Sequence, residues 1–207
     1  MALLAICGAL SIGVISPGPS FVMVARTAVA ASRGDGLAAA LGMGAGGALF
    51  AILALAGLRI ALMAVPWLYL ALKFGGGAWL AYLGWRIWRN ACKPLVVADE
   101  GIKRQPRALS RSLGLGFVTQ ISNPKTALVY TSVFAALLPV SFPLGAALLL
   151  PAVVFVIEAG WYALVAVALS SRAPRAAYVR SKRWIDRAAG GVLAALGIKL
   201  VASAGAI

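Results

Sequence analysis

Residues 2–25, ALLAICGALSIGVISPGPSFVMVA, and 112–138, SLGLGFVTQISNPKTALVYTSVFAALL, are long apolar runs, and each is interrupted near its middle by a helix-capping residue followed by proline. The first interruption is Ser16-Pro17-Gly18-Pro19 and the second is Asn123-Pro124-Lys125. Ser and Asn favour the N-cap, Pro favours the first helical position, and the residue before Pro resists helical geometry. Each interruption therefore reads as one helix ending and another beginning. Inside a bilayer, backbone groups freed by such a break persist only where they are buried in protein or line a watery cavity. Matching breaks in two halves of a chain point to a transporter's binding site.

The rest of the composition agrees with a membrane setting. Of 207 residues 62% are hydrophobic and 12% charged, against about 25% charged in soluble domains. The expected fold is an all-α polytopic membrane protein, one transporter domain over 1–207. Six stretches are long enough to cross a hydrocarbon core of roughly 30 Å: 2–25, 37–58, 67–88, 112–138, 143–169 and 184–204. The first and fourth carry the breaks, which depth places at the midplane. Residues 1–21 resemble a secretory signal only superficially, because no Lys or Arg precedes the apolar run and Ser-Pro-Gly-Pro is a poor cleavage site.

Charge sets the orientation. The net charge is +14, and the basic residues gather in alternate connections: Arg26 and Arg33 in the first, Arg86 to Arg111 in the third, Arg172 to Arg187 in the fifth. The second has Arg59 alone, and the fourth, 139–143, has none. By the positive-inside rule the odd connections are cytoplasmic, and both termini lie outside the cytoplasmic (inner) membrane, in the periplasm. The basic loops fix orientation and touch membrane lipids. They are not interleaved with stacking aromatics, so a nucleic-acid partner is not expected.

Enzyme chemistry finds no support. Cys7 and Cys92 fall on opposite sides of this topology, and there is no His, no Cys-x-x-Cys and no carboxylate cluster. Neither a metal site nor an activated nucleophile can be assembled from such residues. No cofactor is expected.

An internal repeat organises the chain. The segment 77–87, GAWLAYLGWRI, aligns without gaps on 190–200, GGVLAALGIKL, with Gly, Leu, Ala, Leu and Gly recurring in register and Arg86 opposite Lys199. The two break prolines, Pro17 and Pro124, correspond in the same way. Two three-helix repeats follow, about 1–90 and about 111–207, joined by a basic cytoplasmic linker over about 91–110 that contains Pro94 and Pro106. A three-span unit copied once must insert upside down, and such inverted repeats bind substrate near the midplane. Gly42, Gly44, Gly46 and Gly47 would let a neighbouring helix approach closely.

Two charges lie deep. Lys125 and Glu158 are each roughly 13–15 residues from the ends of their apolar segments, near the membrane centre at about 1.5 Å per residue. Intramembrane ionisable residues face a cavity or pair with each other. Lys125 and Glu158 could form one buried ion pair that holds the halves together. Alternatively, Lys125 and the free N–H groups after Pro17 and Pro124 offer positive potential to a carboxylate, while Glu158 binds an ammonium or takes up a proton. The candidate substrate-binding residues are Ser16, Pro17, Gly18, Pro19, Ser20, Gln120, Asn123, Pro124 and Lys125, with Thr119 and Ser122 nearby. Glu158 is the candidate for proton coupling or amino-group binding, and Gly47, Trp161 and Tyr162 are candidate pocket walls.

Taken together, SPGPSFVMVARTAVAASRGDGLAAALGMGAG, LKFGGGAWLAYLGWRIW and GFVTQISNPKTALVY, followed by Pro139, resemble the LysE/RhtB family of amino-acid exporters. The resemblance implies a secondary transporter of the cytoplasmic membrane that exports amino acids or their derivatives in exchange for protons. It carries over Pro17, Gly18, Pro19, Asn123, Pro124 and Lys125 as motif residues. Many members have an Asp after a Gly in the second span, where this chain has Gly47; if that Asp couples protons, Glu158 has taken its place or coupling differs. The leading expectation is alternating-access export of a small zwitterionic metabolite by proton antiport. A channel or passive pore, or a non-transporting membrane scaffold, are the alternatives, and a homodimer stays open.

Overall fold

The computed structural model describes residues 2–64, 66–93, 108–138 and 142–204. Among them are eight helices and no strand: α1 (Ala2–Ile15), α2 (Pro19–Ala30), α3 (Arg33–Ala64), α4 (Pro66–Asn90), α5 (Leu109–Ile121), α6 (Pro124–Leu137), α7 (Leu144–Leu169) and α8 (Arg172–Ala204). Most of the linker, including Pro94 and Pro106, and also Pro139 lie outside the described residues, as do the side chains of Arg59, Trp67, Tyr69 and Lys73.

Arg33–Gly57 of α3 and Leu144–Leu169 of α7 are long and apolar enough to cross a membrane; α1 and α2 together make a third such length, bent by 57°. This is an all-helical membrane protein. Several helices outrun the apolar stretches that predict them. α8 begins at Arg172, twelve residues before the predicted span, because Arg, Lys and Ala are strong helix formers whether or not they are apolar. Arg26 likewise lies within α2 and not in a connection, since only Ala31 and Ser32 separate α2 from α3.

Both breaks occur, with one shift. At the second, Asn123 is the N-cap, its Oδ1 accepting the Lys125 N–H at 3.0 Å, and Pro124 opens α6. At the first, the N-cap of α2 is Gly18, extended at φ −143° and ψ −166°, and the opening proline is Pro19. Ser16 therefore does not cap the following helix. Pro19 holds Gly18 out of helical geometry as Pro17 does Ser16, so a helix can start only after the second proline.

Packing follows the glycines. A Cβ on Gly42 would lie 2.1 Å from the Leu113 carbonyl oxygen, and one on Gly116 would lie 2.1 Å from that of Ala39, so α3 and α5 touch backbone to backbone. α3 also packs along α7, with Gly36 against Ala166, Gly44 against Ala159 and Gly47 against Glu158. Residue numbers fall on α7 as they rise on α3, which makes this pair antiparallel. α4 and α8 meet through Gly84 against the Gly190 carbonyl and Gly197 against the Gly77 carbonyl, each within 2.5 Å of an added Cβ. One apolar core joins Ile6 and Leu10 of α1 to Val129, Val133 and Phe134 of α6 and Leu150 and Val154 of α7. A second joins Phe21 and Val24 of α2 to Met43 of α3 and Val165 and Leu169 of α7.

Candidate substrate site at the two helix breaks

Polar side chains from four helices and from the second break converge between these cores. The Asn123 amide donates to Ser20 Oγ at 2.8 Å, Ser20 donates to Gln120 Oε1 at 2.8 Å, and Gln120 Nε2 donates to Glu158 Oε2 at 2.9 Å. Tyr130 donates to the other Glu158 oxygen at 2.9 Å. Every donor in this chain points towards Glu158, whose carboxyl oxygens accept at its end. α2, the second break, α5, α6 and α7 are thus tied in one buried network. Ser20, Gln120, Asn123 and Glu158 are all nearly inaccessible, Glu158 at 1% exposure.

Lys125 and Glu158 do not pair. The Lys125 ammonium donates to the carbonyl oxygens of Ser16 at 2.7 Å and Gly13 at 3.1 Å. These are carbonyls freed at the end of α1, where the helix dipole favours a cation. Glu158 is satisfied instead by Gln120 and Tyr130. The buried ion pair open to the sequence is therefore replaced by two separate arrangements, because the freed carbonyls compete for the lysine and two neutral donors already fill the carboxylate.

Two voids flank the lysine. A cavity of about 450 Å³ is lined by Pro17, Gly18, Pro19, Asn123, Pro124 and Lys125, and it extends past Trp79 and Arg86 of α4 to Lys182 and Asp186 of α8. On the other side a void of about 20 Å³ touches Lys125, Glu158, Tyr130 and Tyr162. The larger falls within the roughly 300–1,000 Å³ of small-molecule sites. The smaller has room for about one water.

The other sequence candidates are distributed unevenly. Ser20 and Gln120 belong to the buried network and not to the wall of the large cavity. Ser16 contributes its carbonyl, while its buried Oγ has no partner. Gly47 sits against Glu158, where an added Cβ would be 2.9 Å from Cγ and 3.1 Å from the Tyr130 hydroxyl. Tyr162 lines the small void. Trp161 lines neither of these two voids and, half-buried, packs on the Phe21 core. Thr119 is half-buried and Ser122 exposed.

Comparison with known proteins identifies the family. The family described as LysE type translocator matches residues 11–204. The chain belongs to that family. Similar proteins include the threonine efflux protein of Escherichia coli (strain K12), 31% identical over 192 residues and 93% of each chain, and that of Salmonella typhi at the same identity and coverage. The leucine efflux protein of Enterobacter sp. (strain 638) is 30% identical over 129 residues, 62% of this chain and 59% of that one. No solved structure matches. As a LysE type translocator the protein is a membrane transporter and not an enzyme.

Several polar residues of this translocator escape a reading by depth alone. Tyr130 looks like one more aromatic of an apolar helix until α6 turns it onto α7. Asp186 stands among the arginines of 172–187 and reads as a surface charge, yet it is 4% exposed and bonded to Lys182 at 2.6 Å. Asp35 is 1% exposed. Ser32 donates to its Oδ2 at 2.6 Å and accepts its backbone N–H at 3.0 Å, and Ser112 donates to Oδ1 at 2.7 Å. The Ser-x-x-Asp spacing was the available signal, a reciprocal cap at a helix start.

Proposed function

We propose that this translocator is a secondary transporter that exports amino acids across the cytoplasmic membrane by alternating access, driven by proton antiport. The observation that carries the proposal is the reach of Lys125 from the second break to the carbonyls of the first, on the wall of the large cavity. An ammonium has three donors, and two are taken by Ser16 and Gly13. The third, with the N–H groups that open α2 and α6, can hold a substrate carboxylate. The names of the similar threonine and leucine efflux proteins support an amino acid as cargo.

Glu158 is the proposed proton carrier. It borders a void that admits a water but no amino acid, and its hydrogen-bond chain reaches both breaks, so a change in its charge would be felt at the substrate site. Gly47 leaves the space that Glu158 fills.

Six spans arranged as two inverted repeats account for the packing of α4 on α8. Gly77 and Gly84 correspond in the repeat to Gly190 and Gly197. The contact of Gly84 with Gly190 becomes, under that correspondence, the contact of Gly197 with Gly77, which is also made. A two-fold relation between antiparallel helices has this self-complementary property. The large cavity runs towards Asn90 and Lys93, which the positive-inside rule puts at the cytoplasm, while the Ile6, Leu10 and Phe134 core closes the other side. This conformer is accordingly read as inward-facing, with both termini periplasmic.

Reconstitution provides the test. Purified protein in proteoliposomes should move threonine or leucine against its gradient when a proton gradient is imposed, and a protonophore should abolish the movement. Equal downhill flux with and without the proton gradient would mean a passive pore.

A further inference from the structure

Of the two voids that the described residues form beside Lys125, the larger can contain an amino acid and the smaller cannot, and Glu158 does not line the larger. The acidic residue that does is Asp186 of α8. Its Oδ2 accepts from Lys182 at 2.6 Å, and its Oδ1 is buried without a partner. A buried carboxylate oxygen left unpaired is costly, and in a native protein it calls for an explanation. Lys182 also donates to the Ala91 carbonyl just past the end of α4, at 3.4 Å. Everything else charged on this wall is basic: Lys125, Lys182, Arg86 and Lys93. Without Asp186 the cavity would attract anions without regard to an amino group.

We infer that Asp186 receives the substrate's ammonium group, opposite the carboxylate site at Lys125 and the helix breaks, and so makes the cavity selective for zwitterions over anions of the same shape. The inference rests on the transport function proposed above and adds to it a residue that sets substrate class. Lys182 and the substrate ammonium then share one carboxylate, each on its own oxygen. Glu158 is left free for protons, since no substrate ammonium has to reach it.

The experiment compares threonine with N-acetylthreonine, which keeps the carboxylate and loses the ammonium, by KM and kcat of transport in proteoliposomes and by thermal shift of the purified protein. Wild type should prefer threonine by at least about tenfold, the scale of one charge-assisted hydrogen bond. Asp186→Asn should lose that preference through KM, and Asp186→Glu should keep most of it. Lys182→Met, which removes the competing cation, should tighten threonine and weaken or leave unchanged N-acetylthreonine, so that the preference for threonine grows; it serves as the deciding variant if Asp186→Asn fails to fold. An Asp186→Asn protein that discriminates as well as wild type, or a Lys182→Met change that affects both compounds equally, overturns the assignment while transport stands. A wild type that neither binds nor moves any amino acid overturns the transport function and this assignment with it.

Discussion

The Lys125 ammonium lies 2.7 Å from the carbonyl oxygen of Ser16, so a residue of the second helix break caps the helix that ends at the first. A cation at the negative end of α1 satisfies carbonyls that the break exposes. The same cation sits at the positive end of α6, where only a neighbouring acceptor or a bound anion can make it comfortable. The two breaks are thus one structural unit, and any movement of α1 against α6 must change the lysine's bonds.

Replacing Lys125 with Met should abolish transport and also reduce stability. The Ser16 and Gly13 carbonyls lose their donor, at about 1–3 kcal/mol for each buried group left unpaired. Thermal unfolding in detergent, read beside efflux, checks both effects; a variant with unchanged melting would remove the capping role.

Gly47→Ala should destabilise the protein by about 1–3 kcal/mol, because its Cβ would overlap Glu158 Cγ at 2.9 Å in a packed site. The same substitution in a Glu158→Ala background should cost much less. A double-mutant cycle measures the difference, and additive effects would mean that the two residues do not compete for space.

Tyr130→Phe removes one of the two donors to Glu158. A hydrogen bond to a charged group is worth about 1.5–3 kcal/mol, so melting should fall, and little further loss should follow in a Glu158→Gln background where the acceptor is neutral. Unfolding of the four proteins of the cycle gives the coupling directly.

Gly84→Ala should prevent correct assembly of α4 with α8. The added Cβ would lie 2.4 Å from the Ala194 nitrogen and 2.5 Å from the Gly190 carbonyl oxygen, so two backbones would have to separate. Gly114→Ala meets nothing within 4 Å and should be neutral or gain up to about 1 kcal/mol from helix propensity. Yield of monodisperse protein, followed by melting, separates the two.

How much of this was legible in advance varies residue by residue. Proline and capping residues act on their own backbone, so both breaks, and Asn123 as the cap of α6, could be read without neighbours. The cap of α2 was misplaced by two residues, because two prolines compete and only their joint constraint selects Gly18. The helix-packing glycines at 42, 44, 46 and 47 were visible as small residues, though not which helix each would meet, while Gly77 and Gly84 were visible only as members of the repeat. Composition and the three motif segments were enough to bring out the membrane class and the family.

What only the tertiary structure decided is pairing across the chain. Lys125 and Glu158 share a depth, and depth alone makes a salt bridge look natural. The folded chain instead offers Lys125 two orphaned carbonyls and Glu158 two neutral donors, and charges in a bundle take whichever partners the helix rotations present. Asp186 shows the reverse case: a charge among surface arginines is turned inward because α8 continues as a helix from Arg172 and lays that residue against the cavity. Local backbone preference is written in adjacent residues and can be read from them. The partner of a buried charge depends on which distant helix faces it, a property of the packed bundle as a whole.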